Sequence, residues 1–160
     1  MKEIKEVQKQ WWRAKEKAII NCEHRHDYEM ARKLRECQML MNDTDFEGLI
    51  DMMFSSRGIE ALITYQFIDI SLFRKFKNYD IEKYGVFIDC GEITLYDEKK
   101  VFLIGNTTAR LKYAQTQRNR LILMYGASAR VEASGYCVLN IEQDKVSRVD
   151  VTVSGHAIVI

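Results

Sequence analysis

In the first eighty residues, apolar side chains recur every three or four positions, which is the spacing of amphipathic helices. The pattern predicts a first helix over about residues 2–21, in which Trp12 lies outside the apolar stripe. A second helix is expected over about 27–41, with Asp27 as its N-cap. A third follows the polar run 42–45, and a fourth covers about 57–67.

From Tyr84 onward the period changes to the alternation of β-strands, and single glycines separate the segments. β-branched and aromatic residues are frequent between these glycines. Nine short strands are predicted, at about 86–90, 92–96, 100–104, 108–113, 120–125, 128–133, 136–142, 147–153 and 156–160.

The second half also contains an internal repeat, in which the segment 101–111 (VFLIGNTTARL) is followed twenty residues later by 121–131 (LILMYGASARV). Repeats of this length in strand-rich sequence are typical of stacked supersecondary units. The predicted fold class is therefore α+β, with N-terminal helices packed against a C-terminal all-β region. A short β-solenoid or roll is favoured for that region, and an antiparallel sandwich is the alternative. The expected boundaries are 1–80 for the helical subdomain and 81–160 for the β-rich repeat subdomain.

Composition and charge limit the partners and the cellular location that can be expected for the protein. The formal net charge of +1 gives no excess of positive charge for general nucleic-acid binding. The four cysteines form no compact framework, and no apolar N-terminal signal is visible. No apolar run approaches the roughly 20 residues that span a bilayer. A soluble cytoplasmic protein with free thiols is expected, with no membrane association.

One stretch of the helical half carries a family resemblance. The segment 18–36 (AIINCEHRHDYEMARKLRE) contains an Ala, a short turn, an Asp-aromatic-Glu triplet and then Leu-Arg-Glu. In this order it resembles the UVR motif, a helical hairpin that serves as a protein–protein docking element. The resemblance covers about 25 residues. It implies that the helical half docks a protein partner.

The second half is similar to small proteins of gut bacteria and their mobile elements or phages. The similarity lies in three short segments: Ile104–Thr107 (IGNT), Met124–Ala127 (MYGA) and Ser134–Tyr136 (SGY). It implies a biological setting and no particular mechanism.

The sequence contains no pattern typical of catalysis. There is no Gly-x-Ser-x-Gly elbow and no Gly-rich phosphate loop, so we predict no catalytic residue, no cofactor and no enzyme activity. The acidic residues Asp89, Glu92 and Asp97 are interpreted as surface turns between strands. Zinc-type ligands do cluster near the first turn, at Cys22, His24, His26 and Cys37, but they lack the paired spacing of structural zinc sites, and no metal is assigned.

Arg110 and Arg130 occupy equivalent places in the two repeat copies. In a solenoid they would stack about 4.8 Å apart on one face. Two stacked guanidinium groups repel each other unless an anion lies near them. A patch of Arg110, Arg130, Lys112 and Arg148 is therefore the candidate ligand site. The competing interpretation is a solvent-facing ladder balanced by Glu132 and Asp150.

We predict a non-catalytic interaction or scaffold protein whose helical half docks a partner, including a further copy of itself in a homo-oligomer. The alternative is a binder of a small anionic ligand such as a nucleotide, in the manner of a phage-encoded sequestering protein. Ten apolar residues are expected in the core: Trp11, Tyr28, Leu34, Phe46, Leu49, Phe54, Phe87, Leu103, Leu123 and Val138.

Overall fold

The computed structural model describes all residues from Met1 to Ile160, which divide into two compact units, Met1–Leu72 and Phe73–Ile160. The helices are α1 (Lys2–His24), α2 (Tyr28–Glu36), α3 (Phe46–Phe54), α4 (Ser56–Tyr65) and α5 (Ile70–Lys75). Two short 3-10 turns follow, Phe76–Tyr79 and Ile81–Tyr84. None of the helices combines the length and the hydrophobicity needed to cross a lipid bilayer.

The first unit is organised around the long helix α1, which buries one stripe of side chains. Lys15 lies on this stripe and is also buried. Its ammonium group donates to the main-chain oxygen of Cys37 at 2.9 Å, just beyond the end of α2. The charge therefore satisfies a carbonyl at the end of that helix, where cations are favoured. Asp27 caps the other end of α2 by accepting from the Met30 N–H at 3.1 Å, as the sequence predicts.

Tyr28 is the residue of the expected core that the structure places most clearly outside it. Its side chain is 61% exposed because it begins α2 directly after the turn, where its hydroxyl lies 3.0 Å from Nδ1 of His26. Phe46, Phe87 and Val138 are half-buried, whereas the other six expected core residues are buried. Helix α2 also ends at Glu36, five residues before its predicted end.

The second unit contains nine strands, as predicted. They are β1 (Val86–Ile88), β2 (Gly91–Tyr96), β3 (Lys100–Ile104), β4 (Thr107–Tyr113), β5 (Arg118–Met124), β6 (Ser128–Ala133), β7 (Val138–Gln143), β8 (Arg148–Val153) and β9 (Ile158–Val159). The odd strands form one sheet and the even strands a second. Every pairing in both sheets is parallel. This arrangement is a β-solenoid of about four turns, so the sandwich alternative is wrong.

The twenty-residue repeat is the length of one solenoid coil. Val101 aligns with Leu121 in the odd sheet, and Leu111 aligns with Val131 in the even sheet. Only the first coil is shorter, since Gly91 aligns with Thr107, a step of 16 residues. Equivalent residues of successive coils therefore stack in columns along the solenoid.

The interior of the solenoid is filled by alternate residues of both sheets, including Leu103, Leu111, Leu121 and Val131. On the even sheet the outward residues are exposed, as the alternation of β4 shows. The outward residues of β3 and β5 near their C-terminal ends are buried instead, which explains why these strands appear as continuous apolar runs.

One coil corner requires glycine. Gly135 has a φ of +64°, and a Cβ atom there would lie 2.8 Å from the main-chain oxygen of Ala114 in the preceding coil. Side chains are excluded from this corner by both the backbone conformation and the space.

Candidate functional site

The sequence-predicted arginine pair lies on the outer face of the even sheet. Arg110 of β4 aligns directly with Arg130 of β6, and Thr94 and Asp150 continue the same column on either side. Both arginines are exposed, and neither guanidinium group makes a hydrogen bond or an ion pair. The two guanidinium groups are thus adjacent, solvated and free to contact an anion.

The other two members of the predicted patch differ from the arginine pair. Lys112 aligns with Glu132 in one column, and its ammonium lies 3.6 Å from the Glu132 carboxylate. Arg148 is exposed and stands in the column of Ser128, beside Asp150 along β8. The surface is a flat sheet face that carries both signs of charge. An anion bound there would contact Arg110 and Arg130 first.

The first unit contains a groove along α1, α2 and α4, with a volume of about 980 Å³. We call it the helical groove. Small and apolar side chains form much of its lining, including Ala14, Ala18, Leu34 and Ala61. Its volume lies at the upper end of the range for sites that hold a drug-sized ligand.

The lining of the helical groove also includes polar and charged side chains. Trp11 is 3% exposed, and its indole Nε1 has no hydrogen-bond partner. Burial raises the pKa of the Tyr65 hydroxyl, and the proximity of Cys22 raises it further. Lys17 and Arg57 also line the groove, and neither makes a hydrogen bond or an ion pair. The lining therefore contains two unpaired cations, Lys17 and Arg57, and one unpaired carboxylate, Glu60.

The cysteine and histidine residues near the first turn contact neighbouring residues of the chain and do not converge on one point. Cys22 is buried, and the Arg25 guanidinium donates to its sulfur at 3.6 Å. His26 contacts Tyr28, and Cys37 is half-buried. No three histidine, cysteine or acidic side chains in the chain lie together as ligands of one metal ion.

The acidic residues around Gly91 hold solenoid corners. Asp97 accepts from the main-chain N–H groups of Ala114 and Gln115, at 2.7 and 3.0 Å. Asp89 accepts from the Arg74 guanidinium at 2.6 Å and from the Asn106 N–H at 2.8 Å. The hydrogen bond from Arg74 lowers the pKa of Asp89.

One thiol lies beside a carboxylate. The Cys90 sulfur is 3.2 Å from an oxygen of Glu82. Burial and this hydrogen bond raise the pKa of Cys90 to about 11. Because the thiolate is the reactive form, Cys90 is a poor nucleophile at neutral pH.

Comparisons with protein-family models, curated proteins and solved structures give no match. The helical groove was not predicted from the sequence, because its lining comes from three separate helices. A signal does exist in α4, where Arg57, Ala61 and Tyr65 share one face at four-residue spacing.

Proposed function

We propose that the protein is a non-catalytic interaction protein whose helical groove binds an amphipathic helical segment of a protein partner, while the β-solenoid serves as a scaffold. The observation that carries the proposal is the 980 Å³ groove, whose lining combines small apolar side chains with the unpaired cations Lys17 and Arg57. The UVR-like segment contributes α2 and the end of α1 to this groove, which agrees with a docking role.

A helix is the occupant that best fits the lining. The groove follows α1 from Trp11 to the C-cap residue Arg25, a length of about 21 Å at the rise of an α-helix. Ala14, Ala18 and Ala61 leave space for another helix to pack closely. Helices that bind in such grooves place apolar side chains at three- and four-residue spacing into the floor.

The charges of the lining favour an acidic flank on the partner helix. Glu36 is already paired with Arg32, and the Lys33 ammonium is paired with Glu29. Lys17, Arg57 and Glu60 are left without ion-pair partners, so the unpaired charge of the lining is net positive. Carboxylates on the bound helix would complement these two cations and orient the helix.

The test uses synthetic amphipathic helical peptides of about 15 residues, enough to span the groove. One set carries acidic residues beside the apolar stripe, and a matched set carries basic residues. Trp12→Phe leaves Trp11 as the only tryptophan of the chain, so its fluorescence reports binding. We expect micromolar binding of acidic peptides with a change in Trp11 emission, and weaker binding of the basic set.

Two arginine variants on α1 control the location. Ala14→Arg places a long side chain into the groove and should weaken peptide binding at least about tenfold, a loss of 1.4 kcal/mol. Glu16→Arg puts the same side chain at an exposed position outside the groove and should leave binding nearly unchanged. Absence of binding by every peptide, or equal affinity of the two variants, contradicts the proposal.

The register of Arg110 and Arg130 supports a second candidate function, the binding of a small anion such as a nucleotide. The two guanidinium groups are adjacent, exposed and without partners. A phosphate between them would remove their mutual repulsion and accept hydrogen bonds from both.

This candidate is tested by thermal melting with a panel of nucleotides that includes cyclic ones. A ligand at about 100 times its dissociation constant stabilises the folded state by roughly 2.7 kcal/mol. Replacing both Arg110 and Arg130 with alanine should abolish the rise in melting temperature. Arg118→Ala, an exposed arginine of the odd sheet, is the control and should retain it. No shift with any nucleotide excludes this function.

A further inference from the structure

We infer that the surface around Arg110 and Arg130 recognises the terminal phosphate of a small phosphomonoester, with a pair of hydroxyl groups beside the arginines as further donors. This recognition rests on the second candidate function, anion binding by the arginine pair, and adds to it the chemical group that is bound. It does not involve the helical groove.

The hydroxyl pair lies beside the arginine pair on the outer face of the even sheet. Thr108 of β4 aligns with Ser128 of β6, in the column next to that of the two arginines. The two side-chain oxygens are 3.1 Å apart and hydrogen-bonded to each other. This bond uses one of the two hydroxyl protons, so the other proton is available for an anion.

The arginine pair and the hydroxyl pair occupy the four corners of one small rectangle. Thr108 and Arg110 supply the corners on β4, and Ser128 and Arg130 supply those on β6. Successive outward residues of a strand are about 6.6 Å apart, and neighbouring strands are about 4.8 Å apart. Each guanidinium group stands at the end of a long side chain, which can fold over the adjacent hydroxyl. One tetrahedral anion can therefore accept hydrogen bonds from both arginines and from a hydroxyl.

Acidic residues limit the positive patch to these two coils. Glu92 precedes the hydroxyl pair in its column, and Asp150 follows Arg130 in the arginine column. On the far side of the arginines, Glu132 is paired with Lys112. A long polyanion that followed the columns would meet the carboxylates of both Glu92 and Asp150. A single compact anionic group fits this charge pattern better.

The donors of the patch favour a dianion over a monoanion. Arg148 follows Ser128 in the hydroxyl column and adds a third exposed guanidinium group without a partner. A phosphomonoester has three terminal oxygens and a charge of about −1.5 to −2 at pH 7. A cyclic phosphodiester has two terminal oxygens and a single charge. These side chains recognise the phosphate, so the remainder of the ligand should contribute little to the affinity.

The test is a nuclear magnetic resonance titration of the isotope-labelled protein with inorganic phosphate, ribose 5-phosphate, AMP and cyclic AMP. The ionic strength is kept constant, because salt screens exposed charges. We expect dissociation constants on the order of 1 mM for the first three probes and at least about tenfold weaker binding of cyclic AMP. The largest shifts should occur in the N–H signals of residues 108–110 and 128–130.

Two double variants separate the hydroxyl pair from the arginine pair. Thr108→Val with Ser128→Ala removes both hydroxyls and keeps every arginine. It should weaken AMP binding about three- to tenfold, the range of one net hydrogen bond. Replacing both Arg110 and Arg130 with alanine should abolish binding. Thr152→Val, at an exposed position two columns away on the same face, is the matched control and should bind AMP like the wild type.

The outcomes distinguish this site from anion binding in general. Binding that is lost in the arginine variant but unchanged in the hydroxyl variant overturns the phosphomonoester site and leaves the second candidate function intact. Cyclic AMP that binds as tightly as AMP also overturns it, as does binding of AMP without binding of ribose 5-phosphate. Absence of binding by all four probes refutes both the phosphomonoester site and the second candidate function.

Discussion

Replacing Tyr113 with phenylalanine should stabilise the protein, although removing a tyrosine hydroxyl usually does the opposite. Tyr113 ends β4 and points into the solenoid, where it is 1% exposed. Its ring lies in the column of Ala133, whose small side chain leaves space for it. Its hydroxyl has no hydrogen-bond partner. The substitution therefore keeps the ring and removes only an unsatisfied polar atom.

The magnitude follows from the cost of burying such a group. An unsatisfied buried donor or acceptor costs about 1–3 kcal/mol, so Tyr113→Phe should raise the free energy of unfolding by an amount in this range. Burial also raises the pKa of Tyr113 well above the ordinary value of 10.0. In the unfolded chain the hydroxyl ionises near pH 10, while in the folded chain it stays neutral to higher pH. Wild-type stability is therefore lost as the pH rises above 10, by about 1.4 kcal/mol per unit for this group.

Urea unfolding followed by far-ultraviolet circular dichroism at pH 7 and pH 11 measures both effects. The variant should be more stable at pH 7, and its advantage should increase at pH 11. Tyr136→Phe removes a hydroxyl from a side chain that is 63% exposed and should change stability by less than about 0.5 kcal/mol. If Tyr113→Phe destabilised the protein at pH 7, this prediction would be refuted. Such a loss would mean that the hydroxyl makes a hydrogen bond, and the structure shows none.

Three further predictions concern other parts of the chain. Gly58→Ala should lower stability by about 1–3 kcal/mol despite the better helix propensity of alanine, because its Cβ would lie 1.8 Å from a main-chain oxygen of α3; thermal melting measures this. Glu82→Gln should accelerate alkylation of Cys90 at pH 8, followed by mass spectrometry, because the carboxylate helps to raise the thiol pKa to about 11. Asp89→Asn should cost at most about 1 kcal/mol at pH 7, because the Arg74 partner is exposed. Since the folded-state pKa of Asp89 is lowered, its contribution is present above the ordinary value of 3.8 and is lost as the pH falls through the lower value; urea titrations at pH 7 and 3 measure this.

Each of these predictions has a control. Gly48→Ala in α3 brings a Cβ no closer than 3.1 Å to side-chain atoms and should cost less than the change at Gly58. The alkylation rate of Cys37, which lies in the other unit, should not respond to the change at Glu82. An equal loss at pH 7 and pH 3 for Asp89→Asn would assign its effect to the Asn106 hydrogen bond rather than to the charge.

Much of the second unit is predictable because its pattern is local and periodic. The segments 101–111 and 121–131 align at twenty residues, and parallel stacking places them in register. The shorter first coil was not predicted, since it lacks the length of the repeat. Tyr28 was misplaced because the first turn of a helix can point away from the stripe that the rest of the helix buries.

Long-range features are much less accessible from sequence. The helical groove depends on how α1, α2 and α4 pack, and no single segment contains it. The alignment of Arg110 with Arg130 was predictable, because it follows from the repeat alone. The repeat likewise aligns Lys112 with Glu132, and the structure adds that these two side chains form an ion pair.

The most direct test of the proposed docking role is hydrogen–deuterium exchange on the 160-residue chain, with and without the tightest acidic peptide at saturation. A bound helix should slow the exchange of α1 from Trp11 to His24 and of α4, and should leave the exchange of β4, β6 and β8 unchanged. Protection confined to the even sheet, or no change in α1 and α4 at saturation, would contradict binding in the helical groove.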